Sequence, residues 1–259
     1  MRARAAVEVG RLQSEVRTAI GETVTAYRSM CFQAMSGSKR QLHMDAVVRP
    51  VRDLNYRFSS VAFHLHLMRE NTDRHLAACA KGRNQKQILI NVAHEQLYLL
   101  DDVVVGCVSM FDYWAGFAGT VLLGPGRGSK WNALHNLCGG TPPRLPDPRR
   151  KALRESRTAR EVQCLQKDWV DSLMGYRSDM IHVAAEKPDA RVVNHMTPNS
   201  PTLVELIIPL PSGLAKRLPL SGLGVTGREP NILDGAVALF ERTHEAIIAL
   251  ATRLREDIA

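Results

Sequence analysis

Apolar side chains recur every three or four residues through the first part of the chain: Leu12, Val16, Ala19, Ile20, Val24, Tyr27, then Met30 and Cys31. That period predicts a helix over about Val7 to Met35, stopped by Ser36-Gly37-Ser38-Lys39. Residues 40–55 are ambiguous, with Pro50 marking either a break or a helix start. A second helix is predicted over Tyr56 to Ala80 and closed by the polar turn Lys81-Gly82-Arg83-Asn84. A third runs from about Gln85 to Leu123, long enough to invite a kink near Gly106. Its apolar density puts it at the centre of a bundle. Gly124-Pro125-Gly126-Arg127-Gly128-Ser129 ends it, and a short helix, Lys130 to Leu137, follows. Beyond the Gly/Pro-rich loop from Gly139 to Pro148, helical material resumes from Arg149 to about Ala185, and Pro188 forbids much continuation.

The rhythm then changes. Arg191 to Met196 and Thr202 to Pro209 are short, rich in Val, Leu and Ile, and separated by Thr197-Pro198-Asn199-Ser200-Pro201, which predicts a hairpin with a longer loop. Loop residues are expected up to Pro230, then a final helix over about Ile232 to Glu256. The expected fold class is all-α, a mainly α helical bundle with a small β-hairpin appendage near residues 191–209. One domain is expected over residues 1–259: N-terminal helices in 1–84, a core bundle in 85–185, and the hairpin with the C-terminal helix in 186–259.

Composition narrows this picture modestly. With 45% hydrophobic and 23% charged residues in 259, the chain reads as an ordinary globular protein, and aromatics at 5% leave the core to Leu, Val, Ile and Ala. A formal charge of +8 favours polyanions such as RNA or anionic lipid. Cys31, Cys79, Cys107, Cys138 and Cys164 form no C-x-x-C pair and read as reduced, buried thiols. The N-terminus has no apolar signal segment, so a cytoplasmic location is expected. Val103 to Leu123 is apolar enough to pass for a membrane span, but Asp112 at its centre would cost roughly 2.5–3.5 kcal/mol in a bilayer. A buried central helix, with no membrane partner, is the expectation.

Several motifs fail on context. Gly222-Leu223-Gly224-Val225-Thr226-Gly227 has the letters of a dinucleotide-binding loop, yet no strand precedes it and Arg228-Glu229-Pro230 follows in place of a helix. Gly124 to Lys130 lacks the Gly-Lys-Ser/Thr order of a phosphate-binding loop, although Arg127 and Lys130 remain available as plain cations for phosphate. His64 and His66 point about 200° apart on a helix, whereas His94 and Asp101, two turns apart, share a face. None of these makes a metal cluster, and neither a metal nor another cofactor is expected.

What remains is Tyr176-Arg177-Ser178-Asp179-Met180-Ile181-His182. Arginine is a permanent cation suited to phosphate, and histidine exchanges its proton near neutral pH. Five residues turn a helix by about 140°, so Arg177 and His182 flank an edge rather than stack. Ser178 and Asp179, at i−4 and i−3 from His182, are placed to orient the imidazole. The alternative is that both groups simply partner the last carbonyls of a helix.

This segment resembles the R-x(4–6)-H signature of the HEPN superfamily, all-α proteins that are often metal-independent ribonucleases. The order of a long central helix, a short helix after Lys130-Trp131, and the motif helix is similar as well, over roughly residues 85–185. The resemblance implies an RNA endonuclease of a toxin–antitoxin or phage-defence system, working as a homodimer whose motif helices form one composite cleft, with an antitoxin or defence protein as a possible partner. By carry-over, His182 handles protons, Arg177 stabilises the phosphorus centre, and Asp179 or Ser178 positions His182. Arg127, Lys130 and Tyr176 are then candidates for RNA contact. Active members usually carry Asn, Asp or His directly after the arginine, whereas this chain has Ser178. A non-catalytic helical module binding nucleotide, RNA or protein, or a scaffold of a defence complex, therefore stands beside the nuclease.

Overall fold

The computed structural model describes residues 2–80, 85–139, 148–182, 190–195, 203–217 and 231–259. It is a helical bundle: α1 (Arg2–Ala34), α2 (Gly37–Ala80), α3 (Gln85–Leu123), α4 (Trp131–Gly139), α5 (Pro148–Glu155), α6 (Arg157–Leu165), α7 (Asp171–His182), α8 (Ser212–Arg217) and α9 (Ile232–Ile258). Strands β1 (Arg191–His195) and β2 (Leu203–Ile207) pair antiparallel, with Arg191 opposite Ile207 and His195 opposite Leu203. The mainly α fold with a small hairpin is as expected; the hairpin's predicted loop lies outside the described residues, as do the turn at 81–84 and the glycine motif at 222–227.

Three boundaries differ from expectation. The ambiguous stretch 40–55 is helical, and α2 runs unbroken past Pro50. Proline inside a helix removes one hydrogen bond. Here its ring packs beside α3 at Gly116, where an added methyl would stand 3.6 Å from the Pro50 Cβ. The expected helix from Arg149 to Ala185 is divided. Ser156 caps α6 by accepting from the Ala159 N–H at 3.0 Å, and a π-helical turn, Gln166–Val170, separates α6 from α7. The expected loop before Pro230 contains α8, whose Leu214 and Ala215 N–H groups donate to the Pro211 carbonyl.

The chain divides into two compact units. The first comprises residues 1–60, 106–171 and 241–259. Its buried α1 stripe is Leu12, Val16, Ile20, Thr23, Tyr27 and Cys31. The Thr23 hydroxyl donates to the Ala251 carbonyl of α9 at 3.1 Å, and the Tyr27 hydroxyl meets His43 Nδ1 of α2 at 2.6 Å. The scarce aromatics gather where α3, α4 and the π turn meet. Phe111 lies edge-on to Trp131 at 5.0 Å and to Trp169 at 5.5 Å, a preferred arrangement for buried rings. Asp112, the charge that argues against a bilayer, accepts from the Trp131 N–H at 2.9 Å and so caps α4. Within α3, the most apolar 18-residue window is 72% buried inside the protein.

The second unit comprises residues 61–105 and 172–240. Met68 of α2 and Val92, Leu100 and Val104 of α3 are fully buried there, and the buried Gln96 amide donates to the Met68 carbonyl at 2.7 Å. The start of α9 is tied to the segment after β2: the Ile232 N–H donates to the Ile208 carbonyl at 2.7 Å. Leu173 and Tyr176 of α7 are buried in this unit.

Candidate active site on the motif helix

Helix α7 inherits its phase from the π turn before it. Trp131 Nε1 donates to Gln166 Oε1 at 2.6 Å, and Gln166 Nε2 donates to Asp171 Oδ1 at 2.9 Å, so one glutamine ties α4 to the first residue of α7. Trp169 is buried, with the Arg242 guanidinium 5.3 Å above its ring. An extra residue in one turn rotates the residues after it by about 100° along the helix.

With that phase, Leu173 and Tyr176 point inward and Ser178 and Asp179 outward. Tyr176, a candidate for RNA contact, is only 9% exposed, so little of its ring reaches solvent. Arg177 is partly buried, and its Nε is buried with no hydrogen-bond partner. His182 is the last residue of α7; its side chain lies outside the described residues.

Asp179 carries a partner that the sequence gives no reason to expect. Its Oδ2 accepts from Arg217 Nη2 of α8 at 2.5 Å. The same guanidinium lies along α7, since a methyl added to Gly175 would stand 3.4 Å from Arg217 Nη1. Gly175 and Asp179 are one helical turn apart on one face, and position 182 is about 60° from position 179. Arg177 is about 200° from Asp179. The cation held on the side of α7 nearest position 182 is therefore Arg217. Thirty-eight residues separate it from Asp179, and no spacing rule connects them. The only local signal is Lys216-Arg217 closing a short helix, where cations are favoured in any case.

Arg127 and Lys130 are exposed and belong to the first unit, whereas the motif residues 176–182 belong to the second. The glycines around Arg127 serve the turn itself: Gly124, Gly126 and Gly128 have φ of 97°, 81° and 67°, in the left-handed region. Elsewhere, His64 Nε2 lies 3.5 Å from Asp102 Oδ2, and His94 is exposed. Among the described residues, no three His, Cys, Asp or Glu side chains gather as a metal-binding group. The five cysteines form no disulfide; Cys164 is exposed, unlike the other four. Burial pushes the Cys107 and Cys138 thiols up to about 12, which leaves neither as a ready nucleophile.

Helix α7 thus carries Arg177 on one side, the Asp179–Arg217 pair on the other and His182 as its last residue. No family model, curated protein or solved structure matches this chain.

Proposed function

We infer that this chain is a metal-independent RNA endonuclease of the HEPN kind, with Arg177 and His182 of α7 as its working pair. The observation that carries the reading is the Arg177 guanidinium, partly buried with its Nε unpartnered. Buried polar groups are nearly always satisfied, and a guanidinium nitrogen left without a partner keeps a donor for an anion from outside. In the proposed reaction His182 takes the proton from an RNA 2′-hydroxyl, and that oxygen attacks the adjacent phosphorus. Arg177 stabilises the added negative charge. The bond to the 5′-oxygen breaks and that oxygen takes up a proton, leaving a 2′,3′-cyclic phosphate and a 5′-hydroxyl. The nucleophile belongs to the substrate, so the chemistry calls for neither a metal nor a protein nucleophile, and DNA is not cut.

The offset of about 140° between positions 177 and 182 fits a site shared by two copies of the chain better than one built from a single α7. Homodimerisation through α7 is accordingly part of the proposal. Asp179, or Ser178 beside it, is the positioning residue for His182.

A second reading is favoured by one contact. Because Arg217 occupies Asp179, the carboxylate that would orient His182 is already engaged, and a binding module without turnover has the same surface. Labelled RNA in excess EDTA separates the two. Cleavage by the wild type that is lost in Arg177→Ala and His182→Ala is the expected result. Equal cleavage by all three refutes the mechanism, and RNA binding with no cleavage by any establishes the binding module instead.

A further inference from the structure

From Thr23 to Met44 the chain has no acidic residue and carries Arg28, Lys39 and Arg40. The fold brings these to one place, the turn between α1 and α2, around a ring that is not buried. Phe32 is 51% exposed. The Arg40 guanidinium carbon stands 4.2 Å from the ring centroid and that of Arg28 stands 5.5 Å from it. Arg40 Nη2 donates to the Met35 carbonyl at 3.1 Å, which holds its plane against the ring, and Arg40 Nε is buried without a hydrogen-bond partner. Arg28 makes no hydrogen bond or ion pair among the described residues.

We propose that the Phe32–Arg28–Arg40 cluster at the α1–α2 turn is a binding surface for single-stranded RNA, in which a base stacks on the exposed Phe32 ring and the two guanidiniums hold the flanking phosphates. The choice of RNA rests on the reading of α7 given above. Charge decides the class of partner: three cations and no carboxylate within the segment repel a second copy of the same face and attract a polyanion. An exposed aromatic beside arginine is the arrangement by which sequence-tolerant single-strand binders combine stacking with backbone charge. An anionic membrane shares the charge but needs apolar side chains at the tip. Here Met35 stands at the tip and Phe32 and Leu42 are exposed on the flanking helices, so vesicles are included in the test.

Fluorescence anisotropy of the full chain with a labelled, uridine-rich 2′-O-methyl RNA of roughly 12 nucleotides tests this within a normal single-strand footprint. That strand cannot be cut by 2′-hydroxyl attack, so binding is read independently of cleavage. Phe32→Ala is expected to weaken binding roughly ten-fold and Phe32→Tyr to retain it. Arg28→Gln, at a side chain with no other described tie, is expected to weaken binding and lower the salt slope by about 1. Wild-type affinity in a folded Phe32→Ala and in Arg28→Gln overturns the proposal. So does binding to phosphatidylserine-containing vesicles that falls in these variants while RNA binding does not. RNA held through Phe32 by a chain that cleaves nothing upholds this surface and refutes the nuclease reading alone.

Discussion

Replacing Gly119 with alanine puts a methyl group where the chain has no room for one. Gly119 is buried in α3, and its added Cβ would stand 2.2 Å from the Arg127 carbonyl oxygen and 3.0 Å from the Gly128 Cα. The first distance is about 1 Å inside van der Waals contact, and both neighbours are backbone of a turn whose Gly128 is already at φ 67°. No side chain can swing away, so either α3 or the turn must move. Overpacking of this kind costs about 3 kcal/mol or more, against a helix-propensity gain for alanine of about 1 kcal/mol, so the net loss is on the order of 2 kcal/mol. For a chain of this size that lowers the melting temperature by roughly 4–8 °C. Gly21 is the control: exposed in α1 with nothing within 4 Å of an added Cβ, it should gain about 1 kcal/mol as alanine. Thermal and urea unfolding of both variants, followed by far-ultraviolet circular dichroism, reads the two signs. A Gly119→Ala protein as stable as the wild type would refute the packing of the glycine turn on α3.

Three further outcomes follow from the same geometry. Burial, with Asp102 adding to it, pushes the Asp101 carboxyl up from 3.8 to about 6. The folded state therefore holds this proton longer than the unfolded one, and the stability it lends is lost as pH rises through about 6. Asp101→Asn should stabilise by on the order of 1–2 kcal/mol at pH 8, allowing for its partial exposure, and by nearly nothing at pH 4; equal effects at both pH values would contradict the assignment. Gln166→Leu strands the Trp131 indole N–H, which sits 2.6 Å from its acceptor; a loss of about 1–3 kcal/mol in urea unfolding is expected, and no loss would mean that another acceptor serves it. Arg217→Ala releases Asp179. If Asp179 orients His182, the pH profile of RNA cleavage shifts in this variant, whereas a change in rate with an unmoved profile assigns Arg217 to structure alone.

Much of the architecture is legible from periodicity because a helix buries one stripe, and a stripe is a local property of sequence. Leu12, Val16, Ile20, Tyr27 and Cys31 announce α1, the apolar density of α3 announces a buried helix, and the β-branched runs after residue 190 announce the hairpin. Where the reading fell short, the cause was tertiary. Pro50 normally argues for a break, yet it is carried within α2 beside the space that Gly116 leaves. The π turn at Gln166–Val170 has no periodic signature; it coincides with buried Trp169 and Val170 and with the Gln166 bond to Trp131.

The candidate site divides the same way. Sequence alone determined that a cation and a titratable imidazole stand five positions apart on one helix, flanked by Ser178 and Asp179, because chemical identity and helical spacing need no long-range contact. Tertiary structure decided which of those groups are available. It buried Tyr176, left the Arg177 Nε without a partner, and set Arg217 from α8 against Asp179. The physical reason is that a side chain's exposure and its ion-pair partner depend on which elements pack beside its helix, and that is settled by the burial of residues far away in the chain.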